Sequence, residues 1–170
     1  MNAIYDALAE LLKYPAARAP GVDASFAPGE AGSLVDSFLR DTASLTLEQL
    51  QELYVRTFDL NPVCSLEIGW HLFGENYERG EFLVKMRQEM RRYGVPESTE
   101  LPDHLTHVLP VAGRMAPEEA NEFIVAFVLP ALEKMRAGLA GKNNPYEKVL
   151  AAIGAVFESN HASALLEVMS

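Results

Sequence analysis

Apolar residues recur at helical spacing along nearly the whole chain, with no alternating apolar and polar stretch bounded by hairpin turns, which predicts an all-α fold. Proline and glycine supply the punctuation. A first helix is expected from about Asn2 to Lys13, with Ile4, Leu8, Leu11 and Leu12 on one stripe and Pro15 as its stop. Pro20 to Gly32 reads as a loop rich in Gly, Pro, Ser and Asp. Beyond it, Leu34, Val35, Phe38 and Leu39 form an amphipathic segment that faces the core. Thr46 stands three residues before Gln49, the spacing of a capping box, and opens a helix carrying Leu50, Leu53, Tyr54 and Phe58.

Asn61-Pro62 predicts a break, and Ser65 caps a short helix to Phe73 that ends near Gly74. The stripe Phe82, Leu83, Met86, Met90 and Tyr93 predicts a helix from Tyr77 to Tyr93, ended by Gly94 and Pro96. Residues 95–103 read as a polar hinge, with Pro102-Asp103 opening the next helix, since proline fits a first turn and an acid suits its dipole. Pro117 with Glu118 and Glu119 opens another in the same way. It is apolar through Phe123, Ile124, Phe127 and Val128, and Pro130 must kink or split it. Asn144 caps a last major helix with Pro145 at its first position and Tyr146, Val149, Leu150, Ile153 and Phe157 on its buried stripe. No repeat period or low-complexity tract appears, so residues 1–170 read as a single-domain helical bundle.

Composition narrows the function classes. A chain of 170 residues buries roughly 70% of its extended surface, and 49% hydrophobic content is enough for one core without staples. With 24 acidic against 14 basic residues the net charge is −10, which argues against nucleic acid or anionic lipid and favours a cationic peptide. The single cysteine, Cys64, excludes an internal disulfide framework and a Cys-rich zinc site. Asp6 comes early and no basic region leads into an apolar run, so no secretory signal is expected. No stretch approaches ~18 uninterrupted apolar residues, so no membrane insertion is expected either, and a cytoplasmic domain is the reading.

The polar residues offer little catalytic chemistry. His71, Glu75 and Arg79 fall on one face of a helix running through Gly74, which reads foremost as a salt-bridge ladder. Glu100, His104 and His107 have helical spacing too, but zinc and di-iron sites need three or four convergent ligands, so no metal or other cofactor is expected. Cys64 has no histidine base by spacing and reads as a buried thiol, and no glycine-rich loop precedes a Lys-Ser or Lys-Thr pair. A non-enzymatic role is expected, with a metal-dependent helical enzyme as the outsider. The block from Tyr54 to Gly94 is dense in aromatics and methionine, as in ordinary core or in an adaptable surface for a peptide helix. Asp59, Glu67, Glu75, Glu78, Glu81 and Glu89 ring it.

Tyr54, Thr57, Phe58 and Asp59, then the stretch His71-Leu72-Phe73-Gly74-Glu75, then Arg79-Gly80 follow one another as in a known group. With Leu101-Pro102-Asp103-His104-Leu105 and Asn144-Pro145-Tyr146 they resemble the NarJ-type chaperones of nitrate reductase assembly, within the wider TorD/DmsD group of redox-enzyme maturation proteins. The full Glu-Pro-x-x-Asp-His form of the wider group is absent, Glu100-Leu101-Pro102-Asp103-His104 being a near version, and no motif follows Asn160.

The resemblance implies a cytoplasmic, non-catalytic helical chaperone. Its partner would be the N-terminal segment of the catalytic subunit of a respiratory nitrate reductase, with cofactor-delivery proteins beyond it. Binding would keep the apoenzyme open for molybdenum-cofactor insertion and delay membrane docking; another molybdoenzyme is the alternative client. On this reading Tyr54, Phe58, Phe82, Leu83 and Met86 line an apolar groove, and Asp59, Glu75 and Glu78 meet basic residues of the peptide. His71 and Arg79 belong to the same peptide-binding set, and Pro102, Asp103 and His104 form the hinge, across which Arg79 and the Asp103-His104 pair fix the two halves.

Overall fold

The computed structural model describes residues 2–16 and 24–169. Its helices are α1 (Asn2–Leu11), α2 (Gly29–Thr42), α3 (Leu47–Tyr54), α4 (Ile68–Phe73), α5 (Tyr77–Arg92), α6 (Leu105–Arg114), α7 (Pro117–Phe123), α8 (Leu129–Leu139), α9 (Tyr146–Asn160) and α10 (Ala162–Met169). Short 3₁₀ turns lie at Ala24–Phe26 and Pro62–Cys64, and π-helical turns at Val55–Asp59 and Ile124–Val128. No strand occurs among the described residues, and the fold is all-α.

Local chemistry accounts for the helix ends. Thr46 Oγ1 accepts from Gln49 N at 3.1 Å while Gln49 Oε1 accepts from Thr46 N at 2.9 Å, closing the expected capping box at the start of α3. Asn144 Oδ1 accepts from Tyr146 N at 3.0 Å, but it is not the expected N-cap: α9 begins at Tyr146 with Pro145 at the N-cap position and no side-chain cap bond. Pro130 brings no N–H for the carbonyl four residues back, and the chain answers with a π-helical turn directly upstream, so α7 and α8 are joined rather than separated.

Packing centres on α9, whose Tyr146, Val149, Leu150, Ile153 and Phe157 are buried between α2 and α8. On the far side α1 lies along α6 so closely that a Cβ on Gly113 would stand 2.9 Å from Tyr5 and 3.3 Å from the backbone of Asn2. Among the described residues no single helix is long and apolar enough to cross a membrane, and α9 and α10 meet at a bend of 91°.

Several local expectations change. α2 starts at Gly29, inside the stretch expected to be a loop, of which residues 20–23 lie outside the described residues. Ser65 does not cap α4: its hydroxyl accepts from Glu67 N at 3.2 Å and the helix begins at Ile68. Gly74 adopts φ 59°, so α4 and α5 are separate helices and the ladder of His71, Glu75 and Arg79 does not form. Pro102 and Asp103 precede α6 instead of opening it; the N-cap is His104, whose ring Nδ1 accepts from Thr106 N at 3.2 Å.

Candidate functional site

The linker between α5 and α6 is clamped to the segment that leads into α4. Ile68 N donates to Asp103 O and Leu105 N to Leu66 O, each at 2.9 Å, which makes an isolated antiparallel bridge between Glu67 and His104. Pro102, Asp103 and His104, read as a hinge from the sequence, are all buried here. Asp103 Oδ2 accepts from Gly69 N at 3.0 Å and lies 3.5 Å from Arg79 Nη2, while the same Arg79 nitrogen reaches Glu67 Oε1 at 3.1 Å. A Cβ on Gly69 would meet Asp103 Oδ2 at 2.5 Å, so the contact requires glycine. Burial pushes the Asp103 carboxyl up to about 6 despite the opposing Arg79 charge, with Glu67 adding to the rise.

His104 sits at the crossing point of the site. Its ring Nδ1 lies 2.8 Å from Thr106 Oγ1 and 3.2 Å from Thr106 N, which ties the imidazole to the first turn of α6. The other ring nitrogen, Nε2, stands 3.7 Å from Glu100 Oε2. Burial, reinforced by His107, lowers the ring to about 4 and keeps it uncharged near neutrality.

Two depressions flank Glu100 and His104. The larger, about 600 Å³, opens between α1, the linker and α6, lined by Glu10, Lys13, the half-exposed Tyr14 and Arg114 and by the margin of the buried Tyr54. The smaller, about 260 Å³, lies between the linker and the stretch after α3, lined by Phe58, Asp59, Glu67 and Trp70. Partial burial and the charge of Glu67 raise Asp59; partial burial, then Asp59 and Glu67, raise Glu100.

The expected site residues divide between these depressions and the core. Tyr54 and Phe58, 1% and 4% exposed, are core side chains packed edge-on against Tyr146, and only their margins reach the depressions. Phe82 and Met86 are buried as well, Phe82 in a separate aromatic cluster with Phe73 and Phe127, and Leu83 is half-buried. The five therefore do not line one open groove. The physical reason is that such large apolar side chains are what a chain of 170 residues has to bury. Asp59 is exposed at the smaller depression, whereas Glu75 and Glu78 are exposed near the start of α5 and line neither depression. His71 Nε2 donates to Ser65 O at 2.6 Å, and burial lowers its pKa.

Trp70, Glu67 and Glu100 are the site residues that sequence reasoning missed. Glu67 appears in the sequence only as one of several acids, and Glu100 only through its spacing to His104, with no signal that brings the two acids to one depression. Cys64 is buried, which pushes its thiol up. Among the described residues no group of three or more His, Cys, Asp or Glu side chains is arranged to hold a metal ion.

The family model described as "Nitrate reductase delta subunit" matches residues 24–152. The chain belongs to the nitrate reductase delta subunit family. The matched span contains the whole lining of the smaller depression, while the α1 wall of the larger one lies outside it. Over 120 residues the chain is 29% identical to the nitrate reductase molybdenum cofactor assembly chaperone NarJ of Escherichia coli (strain K12), covering 70% of this chain and 50% of that protein. Over 123 residues it is 28% identical to the probable chaperone of the same name from Bacillus subtilis (strain 168), covering 72% of this chain and 66% of that protein. This member of the nitrate reductase delta subunit family thus spans about half the length of its Escherichia coli relative.

Proposed function

We propose that this chain is a chaperone of molybdenum-cofactor insertion into a respiratory nitrate reductase, acting by binding the N-terminal segment of the catalytic subunit. The similarity to proteins named as nitrate reductase assembly chaperones carries this reading. Held in this way, the apoenzyme stays open for the cofactor, and its docking to the membrane waits until loading is complete. The work takes place in the cytoplasm, with cofactor-delivery proteins as further partners.

The segment docks in the two depressions astride Glu100 and His104. The margins of Tyr54 and Phe58 give an apolar floor; Asp59, Glu67 and Glu100 give the smaller depression an acidic rim, while the larger one carries Glu10 together with Lys13 and Arg114. A net charge of −10 favours a basic partner and speeds its encounter. His71 and Arg79 act on the same face through the backbone they hold, Arg79 by fixing Asp103 and Glu67. Glu75, Glu78 and the half-buried Leu83 extend the contact along the start of α5, where a longer segment leaves the depressions.

Calorimetric titration with a synthetic peptide of the catalytic subunit's N-terminus, at low and high salt, tests the proposal. Micromolar or tighter binding that weakens with salt is expected. No binding at either salt would overturn it.

A further inference from the structure

Arg79 is drawn toward two carboxylates that lie on different segments. Its Nη2 stands 3.1 Å from Oε1 of Glu67, on the wall of the smaller depression, and 3.5 Å from Oδ2 of Asp103, in the linker. The nearer contact is a hydrogen bond of ordinary length and the farther one is at the limit. Two atoms beside them are buried without a hydrogen-bond partner among the described residues, Arg79 Nε and Asp103 Oδ1. They are the missing halves of a single arrangement. Nε and Nη2 belong to one edge of the guanidinium and present parallel N–H groups, and a carboxylate offers two oxygens at a matching separation. Asp103 is 0% exposed and Arg79 18%, whereas Glu67, at 26%, is the most open of the three. The guanidinium also lies over the Trp70 ring, 5.9 Å from its centroid, a contact that does not fix which edge faces which carboxylate.

We infer that Arg79 has two settings and acts as a positioning residue that couples the smaller depression to the linker. In the setting described, it divides one nitrogen between Glu67 and Asp103. When Glu67 is drawn to another partner, Arg79 turns its Nε and Nη2 edge onto both oxygens of Asp103, and the two unpaired atoms satisfy each other. A buried donor and a buried acceptor left unpaired each cost stability, so the second setting recovers what the first forgoes, and the Glu67 contact is what holds the first in place. The exchange reaches the backbone because Asp103 is already fixed to the segment before α4, its Oδ2 accepting from Gly69 N and its carbonyl from Ile68 N. Engaging Glu67 therefore tightens the clamp between residues 66–69 and 103–105, and by reciprocity a tighter clamp favours whatever engages Glu67. The exchange is a property of the free chain and does not depend on the peptide-binding reading.

Glu67→Ala in the full chain imitates a Glu67 engaged elsewhere. The side-chain Nε–H of Arg79, identified by its loss in Arg79→Lys, is followed by nuclear magnetic resonance. Its exchange with solvent is expected to slow about tenfold or more relative to wild type, and the backbone amides of Ile68, Gly69 and Leu105 are expected to slow with it. When Glu67→Ala is combined with Arg79→Lys, where one ammonium replaces the fork, the amides are expected to exchange no more slowly than in Arg79→Lys alone. Glu67→Met serves if Glu67→Ala loses the wild-type helical spectrum. An Arg79 that only braces two segments gives the opposite result, since it loses one of its anchors: unchanged or faster exchange at the Nε–H overturns the inference. Slowing of the three amides that persists in the Arg79→Lys background also overturns it, because the effect then belongs to the removed charge and not to the guanidinium.

Discussion

The side-chain amide of Asn144 donates to Thr57 Oγ1 at 2.7 Å, joining residues 87 positions apart. The same side chain accepts from Tyr146 N, and the Thr57 hydroxyl donates onward to Leu53 O at 2.6 Å. One amide thus closes the start of α9 and holds the π-helical turn that carries Phe58 and Asp59 to the smaller depression. The Tyr-x-x-Thr-Phe-Asp and Asn-Pro-Tyr stretches by which the chain resembles its relatives are one contact in space.

Asn144→Ala removes the acceptor of Tyr146 N and leaves the largely buried Thr57 hydroxyl one partner short, so it is expected to destabilise the fold by about 1–3 kcal/mol in urea denaturation. Asn144→Asp keeps the oxygen that accepts from Tyr146 N and loses the amide donor. Its loss should therefore be smaller.

Asp103 makes stability depend on pH. Its folded pKa of about 6 is above the ordinary 3.8, so between those values the folded state holds the proton more tightly than the unfolded one. The contribution is fully present below the ordinary value and is lost as pH rises through the folded one. Asp103→Asn removes that slope. The difference in unfolding free energy between variant and wild type should therefore grow in favour of the variant from pH 4 to 6 and level off above.

Gly69→Ala tests the close approach beneath Arg79. The new methyl would stand 2.5 Å from Asp103 Oδ2 and 3.2 Å from Phe82, an overpacking expected to cost about 1–3 kcal/mol. In an Asp103→Ala background the closer obstruction is gone. The cost of Gly69→Ala should shrink there, and a double-mutant cycle reads the coupling directly.

At the other end of the fold, Tyr5 O–H donates to His161 Nε2 at 2.6 Å, and the second ring nitrogen pairs with Asn121 Oδ1. Burial holds His161 below its ordinary pKa, so its contribution is present above that value and is lost as pH falls through it. Tyr5→Phe leaves the ring nitrogen unpaired and should cost about 1–2 kcal/mol. Because His161 joins α9 to α10, hydrogen exchange should show the loss of protection first in α10.

The helices were largely legible in the sequence because their signals are local. The Leu50, Leu53, Tyr54 and Phe58 stripe behind Thr46 carries its own cap and period, and the Val149, Ile153 and Phe157 stripe its period, although α9 starts at Tyr146 and not at the Asn144 cap that the sequence suggests. The site was less legible because its contacts are long-range. Nothing within Glu67 or His104 announces that the two segments bridge, and a histidine N-cap is not among the usual capping residues. The aromatic block was ambiguous for another reason. Core and peptide groove ask for the same side chains, and only the burial of Tyr54, Phe58, Phe82 and Met86 separates them. The α10 helix lacks a cap signal that separates it from α9, so its 91° turn at His161 was not foreseen.

The central claim, that the client segment lies across Glu100 and His104, is tested most directly by amide hydrogen exchange on the full chain with and without saturating N-terminal peptide of the catalytic subunit. The account predicts new protection in residues 58–70 and 96–106, which border the two depressions, with α8 and α9 unchanged. Protection confined to α7–α10, with residues 58–70 and 96–106 unaffected, would contradict it.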